Sequence, residues 1–167
     1  MSHYIVRDAR TDEREKVRAL TELAYEEFKT VMEPSAWEGF EGAMNSVLHD
    51  SGDATCIVAD DEGQIIGSVF LYPGGSSAYS SDEPLRAPEF RLLAVSPRAR
   101  GRGVGRALVD ECVRRARIEG ASELGLHTSK SFTAAIAMYE EMGFTRAPER
   151  DFQPPGAELI MGYRLPL

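Results

Sequence analysis

The sequence predicts an α/β fold: a central mixed, largely antiparallel sheet flanked by about four helices. Three observations predict it. Strand-like and helix-like segments intermix along the chain without the regular alternation of a parallel βαβ sheet. The 167 residues are 43% hydrophobic and 28% charged, enough for one sizeable core and a single domain over residues 1–167. A glycine-rich turn, Arg100-Gly101-Arg102-Gly103-Val104-Gly105, stands between an apolar strand and an amphipathic helix.

The elements follow from periodicity. Tyr4–Arg7 reads as a short strand. Thr11 is placed to cap a helix with Asp12 and Glu13 in its first turn, and Val17, Leu20, Ala24, Phe28 and Val31 then recur at helical spacing, with Pro34 as the stop. A second helix is expected from about Ser35 to Leu48. Two strands, Thr55–Ala59 and Gln64–Tyr72, flank Asp60-Asp61-Glu62-Gly63, whose chemistry suits a hairpin turn. Pro73 to Pro88 is a long Gly/Ser/Pro-rich connection, of the kind that is functional or disordered. A strand Glu89–Val95 precedes the glycine turn, and the following helix runs from about Val104 to Glu119. Its buried face is Val104, Ala107, Leu108, Cys112 and Ala116, and Gly120 ends it. A strand Glu123–His127, a helix near Phe132–Met142 and two short strands around Phe144–Ala147 and Glu158–Leu165 complete the chain.

Composition excludes several function classes. The net charge is −8, which argues against a general nucleic-acid binder, yet residues 98–117 hold seven Arg against Asp110 and Glu111. No run approaches the ~20 apolar residues of a membrane span or the length of a signal peptide, so a cytoplasmic location is expected. Cys56 and Cys112 lie in apolar segments and are expected to stay reduced. His3, His49 and His127 are scattered singly, offering no zinc first shell, and no metal is expected.

The glycine turn is a candidate anion site. Glycine removes the Cβ atoms that keep an oxyanion from backbone N–H groups, and the unpaired N–H groups of the first helical turn then point at it, assisted by the helix dipole. The spacing is not that of a P-loop, since no Lys-Ser/Thr pair follows.

Arg100-x-x-Gly103-x-Gly105, preceded by Leu92-Leu93-Ala94-Val95-Ser96-Pro97, resembles motif A of the GNAT superfamily of N-acetyltransferases. Downstream, Ala135-Ile136-Ala137-Met138-Tyr139-Glu140-Glu141-Met142-Gly143-Phe144 resembles that family's motif B. Two matches in order, about 35 residues apart, are far more specific than either alone. The resemblance covers nearly the whole chain, although the first 50 residues carry only its generic pattern. It implies acetyl-coenzyme A as co-substrate and an amine as acceptor, and leaves a homodimer open. It also implies that the backbone of Leu93 and Val95, with Ala94 between them, pairs with the pantetheine arm. Arg100, Gly101, Arg102, Gly103, Val104 and Gly105 would cradle the pyrophosphate, with Arg106 or a neighbouring Arg at the other phosphate. Phe132 stands where many members carry an Asn that touches the cofactor arm.

Amide formation from a thioester needs a neutral amine, a polarised carbonyl and a proton for the departing thiolate. Motif B places the family's Tyr beside the sulfur, so Tyr139 is the candidate acid; an ordinary aromatic on a helix face is the competing reading. Glu89 is the candidate base, through a water, because some family members carry a catalytic Glu at that place on the strand. A strand-end Glu in solvent is an equally good reading, and Asp82 or Glu83 are alternatives. The Val95 N–H is the expected aid to the carbonyl. Tyr25, Phe28, Trp37 and Phe40 lie in the helices that wall the family's acceptor site, and core packing explains them equally well. The first 97 residues are acidic, which favours a cationic acceptor, though solubility accounts for that balance too. Two other functions compete with the enzyme: a non-catalytic acyl-CoA sensor or partner-binding module, and a nucleotide-binding domain, which the lack of a Walker Lys disfavours.

Overall fold

The computed structural model describes residues 3–77 and 84–167. Seven strands form one sheet in the order β1-β2-β3-β4-β5-β7-β6. They are β1 (Ile5–Asp8), β2 (Thr55–Asp61), β3 (Gln64–Tyr72), β4 (Glu89–Val95), β5 (Glu123–Ser129), β6 (Thr145–Arg146) and β7 (Ile160–Pro166). The four α-helices are α1 (Arg14–Tyr25), α2 (Pro34–His49), α3 (Val104–Ile118) and α4 (Thr133–Glu141). Neighbouring strands are antiparallel except β4 and β5. The expected mixed, largely antiparallel sheet is therefore the observed one.

Two apolar layers cover it. On one face α3 and α4 bury Val104, Leu108, Val109, Cys112, Val113, Ala116 and Tyr139 against Ile57, Val69, Phe90, Leu124 and Leu126. On the other, α1 and α2 bury Val17, Leu20, Met44, Val47 and Leu48 against Val58, Phe70 and Tyr72. The alternation of side chains along each strand makes this division possible. The β2–β3 turn places Glu62 at φ 53° and Gly63 at φ 90°, the pair of positive angles that a two-residue hairpin turn requires.

The first helix corrects the periodic reading. It opens through a 3₁₀ turn, Thr11–Glu13, and the Glu13 carboxylate, rather than a Thr11 cap, accepts the Arg10 N–H at 2.7 Å. It also ends at Tyr25, where a second 3₁₀ turn, Glu26–Lys29, takes over. Phe28 lies in that turn, and Val31 is 65% exposed instead of continuing the buried stripe. Pro34 does not stop α1; it starts α2 from the N1 position, where a missing N–H costs nothing.

Arg7 ties β1 to the rest. Its guanidinium donates to Glu13 at 2.7 Å and Asp60 at 2.8 Å, and all three side chains are largely buried. The Arg7 hydrogen bond first, then the Arg10 N–H, hold the Glu13 carboxyl down to about 2, against burial, which works in the other direction. A depressed carboxylate stabilises the fold above its unfolded pKa and ceases to do so as pH falls through the folded one. Urea midpoints measured from about pH 6 down to about pH 3 should therefore fall, and Glu13→Gln should flatten that fall. An equally steep fall in Glu13→Gln would remove this network as its cause.

Candidate active site

β4 and β5 part company immediately. Among the described residues they pair only at Glu89↔Gly125. Beyond that rung the strands bound a cavity of about 690 Å³, lined by Phe90–Val95 on one side and by His127, Thr128, Phe132 and Tyr139 on the other. The glycine turn and the start of α3 close its end.

A bulge shapes the β4 wall. The β3 register passes from Phe70↔Arg91 to Ser68↔Ala94, so Leu92 and Leu93 oppose Val69 alone, and Leu92 takes φ 50°. The Leu93 carbonyl accepts the Tyr25 hydroxyl at 2.5 Å. One group of the strand expected to meet a pantetheine arm thus already has a protein donor. Val95 pairs with Gly67 and lines the cavity, as does Ala94.

The turn itself is built for backbone approach. Gly103 is the N-cap of α3 with φ 77°, a conformation that strains any residue with a Cβ. Ala107 N–H donates to the Gly103 carbonyl at 3.0 Å, as a regular helix starting at Val104 requires; the N–H groups of the first turn precede that ladder. They lie at the cavity wall formed by Gly103, Val104 and Gly105. The helix end sits this close to β4 because β3 carries Gly67 beneath it: a Cβ there would meet Val104 Cγ1 at 2.7 Å and Leu108 Cδ1 at 3.0 Å.

The arginines are not a bare basic patch, which corrects the simplest picture of residues 98–117. Arg100 bonds the Ala24 carbonyl at 3.1 Å and pairs with Glu27 at 2.8 Å. Arg102 pairs with Asp61 at 2.9 Å, and Arg106 lies 3.8 Å from Glu141. Arg114 and Arg115 both hold Glu111, and Arg115 reaches Asp8. Arg100 and Arg106 still line the cavity.

Tyr139 is buried on the α3/α4 side, its ring 5.7 Å from Phe90 and 5.8 Å from Phe144. Burial, then the neighbouring Tyr25 and Cys112, push its phenol well above the ordinary value, so it remains a protonated donor. Tyr139 is among the residues that line the cavity. Across the gap Tyr25, Phe28, Phe40 and Phe132 form one aromatic wall, with Phe132 centred 4.7 Å from Phe28, 5.2 Å from Phe40 and 5.5 Å from Tyr25. Phe132 therefore caps this wall, packing where a polar side chain would disrupt it. Trp37 stands behind the wall, packed on Phe40 with Met32 and Ala36 instead of lining the cavity.

Glu89 is 4% exposed, which removes the reading of a solvated strand end. Phe90 points into the α3/α4 core, while Glu89 and Arg91 turn to the opposite face, where Arg91 stacks 4.2 Å over Tyr72. The Glu89 carboxylate lies 2.8 Å from His127 Nδ1 and 3.6 Å from Arg91 Nε. Sequence reasoning did not bring His127 to Glu89. Its strand alternation with Leu124 and Leu126 put it on the right face, but only the β4–β5 register brings it to Glu89. Asp82 and Glu83 lie outside the described residues.

Residues 16–144 match the family described as Acetyltransferase (GNAT) family. N-acetyltransferase family 8 member 3 of Rattus norvegicus is 35% identical over 94 residues, a match spanning 55% of this chain but only 39% of that protein. A GNAT-family acetyltransferase from Staphylococcus aureus superposes with a TM-score of 0.71 at 14% identity, covering 98% of this chain and 99% of the other. The PaiA N-acetyltransferase of Thermoplasma acidophilum, solved in complex with coenzyme A, gives 0.70 at 15% identity, covering 97% and 98%. With the family match spanning most of its length, from the first turn of α1 to Phe144 just before β6, this chain belongs to the acetyltransferase (GNAT) family.

Proposed function

We propose that this chain is an acetyl-CoA-dependent N-acetyltransferase that acetylates a primary amine of a small molecule or peptide by direct attack. One observation carries the reading: a single cavity joins the amide-lined start of α3, the gap between β4 and β5, Tyr139 and the aromatic wall. The residues present fit the co-substrate. The first-turn N–H groups of α3 would take the pyrophosphate, with Arg100 and Arg106 beside them, and Ala94 and Val95 would flank the arm. The bound thioester supplies the activated acyl carbon. Tyr139 holds a proton at its hydroxyl for the leaving sulfur, and the Val95 N–H polarises the carbonyl. Glu89, through a water, takes the proton from the amine. Tyr25, Phe28, Phe40 and Phe132 favour an acceptor whose amine carries an apolar or aromatic group, with Trp37 supporting that wall from behind.

The test is thiol release from acetyl-CoA with a panel of primary amines: phenethylamine, tryptamine, glycine methyl ester, spermidine and a short peptide with a free N-terminus. Amine-dependent release is expected, fastest with an aromatic amine. Thermal stabilisation by acetyl-CoA without release from any amine would establish the sensor instead. Stabilisation should weaken when the 3′-phosphate is missing and when salt is added.

A further inference from the structure

His127 is held at both ring nitrogens. Nε2 lies 2.9 Å from the Arg150 carbonyl and Nδ1 lies 2.8 Å from Glu89 Oε1. A carbonyl can only accept, so Nε2 carries a hydrogen in every protonation state that keeps this contact. The exchangeable proton is therefore the one between Nδ1 and the carboxylate. The ring cannot easily swing away. The turn Pro148–Arg150 rests on β7 at Gly162, where a Cβ would meet Arg150 Cβ at 2.7 Å, and Phe152 packs 5.4 Å from the imidazole. His127 lines the cavity, and Glu89 lies behind it, among its buried neighbours.

We propose that His127 is a positioning residue that completes the base: clamped by the Arg150 carbonyl, it shares one proton with Glu89, so the two accept the amine's proton as a unit. The proposal rests on the reading of Glu89 as base. The step balances simply. The amine gives its proton through water to the Glu89–Nδ1 pair as its nitrogen bonds to the acyl carbon, and the leaving sulfur takes the Tyr139 proton. Solvent then restores both groups.

Charged groups on β4 and on the turn after β6 face the pair. Arg91 faces Glu89 from β4. Arg150, paired with Glu123, and Asp151, held by Arg146 at 2.6 Å, approach from the turn after β6. Burial opposes a charge on His127, but the Glu89 hydrogen bond and charge, with the Arg150 carbonyl, outweigh it and raise the imidazole above its ordinary value. The proton-accepting form of the pair is then populated as pH rises through that raised value.

Two measurements test this. In ¹⁵N-labelled protein, with His3 and His49 as the other two histidines, Nε2 of His127 should stay protonated while Nδ1 titrates. Glu89→Gln should lower that midpoint; an unchanged midpoint, or titration at Nε2, overturns the shared proton. In kinetics with the fastest amine of the panel, log kcat/KM of the parent should rise with a slope of about two at low pH, one from the amine and one from the pair. His127→Gln, which keeps a donor to Glu89, should lower the rate by ~10-fold and reduce the slope to about one. A slope still near two in His127→Gln overturns the proposal alone. Parent-like turnover in Glu89→Gln overturns the base assignment beneath it, and no release with any amine removes both.

Discussion

Replacing Tyr139 by phenylalanine should lower kcat by ~100-fold or more and leave the affinity for acetyl-CoA nearly unchanged. The ring stays, and with it the packing on Phe90 and Phe144, so the fold has little reason to respond. What disappears is a buried hydroxyl whose surroundings hold its proton firmly until a strong base forms next to it. A thiolate leaving an apolar cleft is such a base, because it has lost its own hydration. Steady-state kinetics beside a binding isotherm separates the two effects. Parent-like turnover would return Tyr139 to an ordinary core aromatic, and a matching loss of affinity would make it a binding residue.

A valine at Gly67 should damage the protein from beneath a different helix, α3. Its side chain would enter space already filled by Val104 and Leu108, both nearly inaccessible to solvent, with the Ala94 carbonyl 3.3 Å from the Cβ alone. Overpacking of this kind costs about 1–3 kcal/mol. The collision lies under the first turn of α3, so the helix can relieve it only by moving off the sheet. Stabilisation by acetyl-CoA should then vanish, even where a urea melt finds the variant cooperatively folded. Loss of stability with full retention of the ligand shift would mean that the turn binds without needing its seat on β3.

The fold was legible where chemistry is local. The strands Gln64–Tyr72 and Glu89–Val95 end where their apolar runs end, and α3 starts at the glycine that only a left-handed N-cap needs. The first helix was legible in its face but not in its length. Phe28 continues the helical spacing by chance of sequence, and a tighter turn swings it into the aromatic wall instead. The site followed the same division. Its glycines and Tyr139 stand in contiguous motifs, whereas the partner of Glu89 depends on how β4 and β5 meet at the Glu89↔Gly125 rung, Glu89 and His127 being 38 apart in sequence. The arginine pairs were hidden for the same reason: Glu27, Asp61 and Glu141 come from three separate segments.

Those pairs would make the mouth of the cavity an ion exchanger for a bound phosphate. Arg100 and Arg106 line the cavity and Arg102 lies between them in sequence; all three are half-exposed, and each already holds a carboxylate, an arrangement worth only about 0–1 kcal/mol per pair. On the proposed reading, a phosphate that entered would swap one anionic partner for another at small cost, so the arginines would contribute choice among anions more than net attraction, and the helix amides, which surrender no carboxylate, would supply the pull. The exchange also has a product. Glu27 lies on the cavity wall next to Phe28, and were Arg100 to turn to a phosphate its carboxylate would be released beside the aromatic wall. On the proposed reading, loading the first ligand would leave that negative charge unneutralised where a protonated amine would approach, and would couple the arrival of one substrate to the reception of the next.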